Sequence, residues 1–110
     1  MAIHADLAAG RWQTLTLAEQ LGNVGSEVGR AIRAKERRDE SRFEPALERA
    51  LELLDLTLAD PRWRANRLKE IARAREVTCD FLVGDNEYHS TGESLDRYFL
   101  QFAMAARIGR

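Results

Sequence analysis

"TLAEQLGNVGSEVGRAIRAKERRDESRFEP", residues 16–45, contains two helix starts separated by one basic helix end, and its reading sets the fold class. Thr16 and Glu19 have the spacing of a capping box, in which the hydroxyl accepts from the backbone N–H three residues on and the carboxylate reaches back. From there Leu17, Leu21, Val24, Val28 and Ala31 or Ile32 recur at intervals of three and four, with Lys35 closing the line. That is one apolar face of a helix over about 17–38. The basic run "AKERR" suits the negative pole of its dipole. Ser41 and Glu44 repeat the box, and Pro45 falls in the first turn of a second helix, where a missing N–H costs little.

Two further helices follow from the same signals. The second helix carries Phe43, Leu47, Ala50, Leu54 and Leu58 inward and ends near residue 59. Asp60 is a good N-cap and Pro61 belongs at a first helical position, so a third helix is expected over 61–83 in a tight antiparallel hairpin with the second. Gly84 would close it in the left-handed region. Leu68, Ile71, Ala72, Cys79 and Leu82 share one of its faces, and Trp63, Ala74, Val77 and Phe81 an adjoining one, which makes this the expected central helix. Ser90 with Glu93, or Thr91 alone, caps a fourth helix over 91–108 that turns Leu95, Phe99, Phe102 and Ala106 inward. No alternating strand pattern and no internal repeat occur. The expectation is an all-α, antiparallel four-helix bundle with up-down-up-down order, one domain over 16–110, behind an N-terminal extension over 1–15.

Composition bounds what such a bundle does. At 110 residues, 45% apolar and 32% charged, the chain suffices for one core without staples. A formal charge of −1 gives no global field toward nucleic acid or an anionic membrane. One cysteine excludes an internal disulfide and fits a reducing, cytoplasmic setting. No stretch approaches the ~18 apolar residues of a membrane span, and nothing calls for a cofactor.

The blocks "LAEQLGNVGSEVGRAI", "FEPALERALELLDLTLADPR", "RLKEI" and "FLVGDNEYHSTGESLDRYFLQFAMAAR" resemble, in this order, a family of short uncharacterised prokaryotic all-helical proteins. The resemblance spans about residues 15–107 and implies a compact helical fold; it brings no activity and no site residue.

The most polar segment is "VGDNEYHSTGES", residues 83–94. Turn formation and capping account for most of it. Asp85, Glu87, Tyr88 and His89 are left over, with Asp80 one turn back and Arg75 on the same helix. These six are the candidate binding residues, around a pocket between the third and fourth helices. Arg75 falls mid-stripe and is expected to be partly buried against Glu48 or Glu52. Asp85, Glu87 and His89 alternate along the loop and form a weak metal candidate; an EF-hand is excluded because the sixth position is Ser90. A di-iron bundle is excluded as well, since neither His4 nor His89 follows a Glu-x-x pattern.

Three other features carry expectations. Gly22, Gly25, Ser26 and Gly29 cluster beside the apolar face of the first helix, at about 1 kcal/mol per glycine relative to alanine, and are expected to let another helix approach closely. A phosphate cradle is the lesser alternative, lacking a preceding strand and a Gly-Lys-Ser/Thr ending. Arg62, Arg64, Arg67, Lys69, Arg73 and Arg75 form a basic helix facing an acidic stripe of Glu44, Glu48, Glu52 and Asp55, with Trp63 as the stacking aromatic if nucleic acid binds there. Leu53, Leu56, Leu100, Met104 and Ile108 lie off the main stripes and mark a candidate interface, a homodimer first. Protein–protein association without catalysis is therefore the leading expectation, ahead of a ligand-binding or enzymatic loop and of a nucleic-acid accessory role.

Overall fold

The computed structural model describes residues 10–108, so part of the expected extension over 1–15, His4 included, lies outside the described residues. Four helices follow a short 3₁₀ turn at Trp12–Thr14: α1 Leu17–Glu36, α2 Glu40–Leu58, α3 Asn66–Leu82 and α4 Gly92–Ile108. They form the expected all-α antiparallel bundle, and no strand occurs among the described residues.

The Thr16–Glu19 capping box is present in both directions and starts α1. The helix stops two residues short of expectation. Arg38 takes a left-handed φ of 56° while the N–H of Asp39 bonds to Ala34 O and that of Arg38 to Lys35 O, the paired bonds of a Schellman ending. No glycine marks this turn, so the sequence hid it. The cap of α2 is Asp39, whose carboxylate accepts from Arg42 N, and not Ser41, whose hydroxyl donates to Asp39 Oδ1. Pro45 consequently sits inside the helix rather than in its first turn.

The largest departure is at α3. Asp60 and Pro61 make a turn, closed by Trp63 N onto Asp60 O, and Ala65 at φ 51° and ψ −120° prevents the helix from starting before Asn66. Its buried residues are Ile71, Ala74, Thr78 and Leu82, while Leu68 is 38% exposed. Only one side of α3 is covered, because it packs on α2 and more lightly on α1. The central helix is α1, which packs along both α2 and α4.

Glycine explains that arrangement. A Cβ on Gly25 would sit 2.5 Å from Phe99 Cβ, and one on Gly22 would sit 3.1 Å from Ala103 Cα. A Cβ on Gly92, at the start of α4, would sit 2.9 Å from Ile32 Cγ2. The helices touch backbone to side chain along this seam, and the packing reading of the glycines holds. The core joins Leu21, Val24, Val28 and Ile32 of α1 to Leu47, Ala50, Leu53 and Leu54 of α2 and to Leu95 and Phe99 of α4. Trp12, 2% exposed, belongs to it too, so the segment expected as an extension enters the core by residue 12.

Candidate functional site

The loop between α3 and α4 is built from its own polar groups. Asp80 accepts from Glu87 N at 2.8 Å and Tyr88 N at 3.1 Å, and its backbone oxygen accepts from Asn86 N. Asn86 clamps Ser90 twice, donating to Ser90 O and accepting from Ser90 N. Asn86 and His89, at φ 54° and 53°, take the left-handed positions that the sequence assigned to Gly84. Gly84 instead fits a tight approach to the end of α3: a Cβ there would stand 3.0 Å from Asp80 O. Thr91 caps α4 by accepting from Ser94 N while Ser94 Oγ accepts from Thr91 N, so the reciprocal partner is Ser94 and not Glu93. Asp80 is thus a loop-holding residue. No group of three metal-ligating side chains forms among the described residues, and Asp85, Glu87 and His89 are not brought together.

A groove of about 500 Å³ does open between α3 and α4. Its floor is Ala74, Val77, Leu95 and Tyr98, with Lys69, Glu70 and Arg73 on one edge and Ser90 and Ser94 on the other. None of the six candidate binding residues lines it. Arg75 turns away from the groove, half-buried as expected, and donates at 2.8 Å to Asp55 of the acidic stripe rather than to Glu48 or Glu52. It is not mid-stripe because the buried line of α3 runs through Ala74 and Thr78 instead. Tyr88 lies under Arg73, 5.5 Å from its guanidinium, and hydrogen bonding to Glu76 raises its phenol above the ordinary range. In the groove, burial and the nearby Glu70 carboxylate push Tyr98 up to about 12, so it stays a neutral hydroxyl. Burial also raises the Cys79 thiol, which argues against a nucleophile.

The opposite flank of α4 is apolar and open. Leu100, Met104 and Ile108 are 55%, 51% and 81% exposed on consecutive turns. Leu53 does not join them: it is buried at 3%, because α2 is covered on two sides, and Leu56 packs against the core. Beside Leu100 a second groove of about 520 Å³ follows the α1–α4 seam, lined by Gly22, Gly25, Ser26, Phe99 and Ala103 among others. The expected interface therefore reduces to α4.

One constellation has no counterpart in the sequence reading. Gln20, fully buried, donates to Trp12 O at 2.9 Å and Asp60 Oδ2 at 3.0 Å and accepts from Trp63 Nε1 at 2.8 Å. Trp12 Nε1 donates to Thr57 Oγ1, and Arg62 donates to both Asp60 and Leu15 O. Hydrogen bonds from Arg62 hold the buried Asp60 carboxyl at about 2. Every member has a partner, which marks a brace tying the chain's start, α1 and the α2–α3 connection together. The signal available was the pair of tryptophans, whose N–H groups need acceptors when buried. The brace also occupies the basic segment. Arg62 covers the Trp63 ring at 4.4 Å and is paired with Asp60, which leaves a nucleic-acid surface without its stacking aromatic.

The described helices include none long and apolar enough to cross a membrane. No protein-family model, curated protein or solved structure matches the chain.

Proposed function

We propose that the protein acts by protein association in the cytoplasm, with the outer face of α4 as its docking surface. The observation that carries this reading is the row Leu100, Met104 and Ile108, more than half exposed on a helix whose other side is firmly seated. Contiguous exposed apolar side chains cost solvation unless a partner covers them. The perturbed side chains of the loop and the first groove are Tyr88 and Tyr98, and both shifts keep a phenol neutral. The test is a binding comparison between parent, Leu100→Glu and Asp85→Ala proteins of equal thermal stability. Association lost only in Leu100→Glu supports the reading; association retained in it contradicts the reading.

A second reading rests on the α3–α4 groove, whose apolar floor and cationic edge of Lys69 and Arg73 suit a small amphipathic anion. Val77→Trp, which fills that floor, should abolish any rise in melting temperature produced by an aromatic carboxylate. A panel that produces no rise in the parent removes this alternative.

A further inference from the structure

We infer that the partner of the α4 face is a second copy of this chain, paired antiparallel about a two-fold axis at Leu100. The inference rests on the association reading and adds the occupant and its register.

Seven residues make almost two full helical turns, so Glu93, Leu100 and Arg107 stand in one line along α4. The line reads acid, apolar, base. An antiparallel copy reads it in reverse, and a two-fold axis at Leu100 sets Glu93 opposite the partner's Arg107 and Arg107 opposite the partner's Glu93. Both carboxylate and guanidinium are available, since among the described residues neither forms an ion pair within its own chain. Parallel pairing would oppose like charges at both positions. Sliding one turn, so that Leu100 meets the partner's Met104, would place Arg97 against the partner's Arg107. Charge thus favours the antiparallel direction, and the Leu100 register is the one that forms both ion pairs; rim charges set such choices more than they add affinity.

Shape agrees with charge. Leu100, 55% exposed, stands on the rim of the groove along the α1–α4 seam, where Gly22, Gly25 and Ser26 form the α1 wall. Each copy therefore offers a leucine knob and a neighbouring hole on the same patch, the requirement of an isologous contact.

Light scattering on the purified full chain should give twice the chain's mass at micromolar concentration. Leu100→Glu places two carboxylates at the axis and should give a folded, cooperatively melting monomer whose melting temperature, unlike the parent's, does not depend on protein concentration. Glu93→Arg and Arg107→Glu should each raise the dimer Kd by about 10-fold, since each reversal acts twice across the axis, and combining them should bring it back to within a few-fold of the parent. A dimer that survives Leu100→Glu, or a double reversal weaker than either single one, overturns this pairing. A parent that stays monomeric at high micromolar concentration also overturns it; if such a monomer binds another protein and Leu100→Glu abolishes that binding, the association reading survives alone. If Leu100→Glu changes no association at all, both fall.

Discussion

Against α1, α4 lies so close that a methyl group on Gly25 would meet Phe99 Cβ at 2.5 Å; against α3, the same helix leaves a groove of about 500 Å³. Apolar content does not account for the difference, because α3 carries as many apolar residues as a central helix would. Small residues do. Helix α1 spends helix propensity on three glycines and obtains a seam in which backbone meets side chain, whereas α3 offers Ala74 and Val77 across a gap edged by Lys69 and Arg73. The closed flank fixes the orientation of α4, and that orientation presents Leu100, Met104 and Ile108 outward.

The comparison breaks most severely at the seam. Gly25→Leu should cost more than about 3 kcal/mol or prevent folding, by overpacking against Phe99; chemical denaturation would measure it. Filling the open side with Val77→Leu should cost far less, under about 1 kcal/mol by the same assay, because the groove has room.

The brace at the other end gives the next effect. Gln20→Ala strands the Trp63 indole N–H and removes a donor from buried Asp60, for a loss of about 2 to 4 kcal/mol in thermal or denaturant unfolding. Its acid dependence follows from Asp60. The folded carboxyl, at about 2, lies below its ordinary 3.8, so the stabilisation is complete above the ordinary value and is lost as pH falls through 3.8 toward 2. The whole contribution is at most about 2 kcal/mol, reduced because Arg62 is partly exposed to solvent. Asp60→Asn should flatten the unfolding free energy across that acid window. A persisting slope of the same size would assign it to other carboxylates.

The smallest effect sharpens the account of α3. Ala65 holds a φ of 51° with ψ −120°, a conformation natural only to glycine. Ala65→Gly should stabilise by about 1 kcal/mol, seen as a modest rise in melting temperature. A fall would mean that α3 starts nearer Pro61, as the sequence suggests.

How far the chain was legible depended on whether a feature is local. The cap at Thr16, the stripes of α1 and α2 and the glycine cluster are carried by residues within one or two turns of each other, and all stand in the structure. The start of α3 was missed because Asp60 and Pro61 satisfy helix-start rules locally, while bonds from Arg62 and Gln20, the latter 40 residues away, draw Asp60 into the brace instead. Arg75 is partly buried and paired with the acidic stripe of α2 as expected, but not mid-stripe, because which of two apolar faces α3 buries depends on its neighbours, and α4 stands off. Leu53 looked free because a helix covered on two sides buries more than one stripe. The loop residues were rightly read as turn-forming, though which cap and which left-handed residue were used came down to contacts between Asn86, Ser90, Thr91 and Ser94 that many sequences of this composition would allow.

The seam between α1 and α4 sets everything outward of it, and one substitution isolates it. Gly25→Ala adds a single methyl group in mid-helix, where propensity alone would stabilise by about 1 kcal/mol. The thermal melting curve of that variant should shift down, since the methyl group meets Phe99 with no flexible atom to yield. An upward shift would contradict a close α1–α4 seam, and with it the orientation that exposes Leu100.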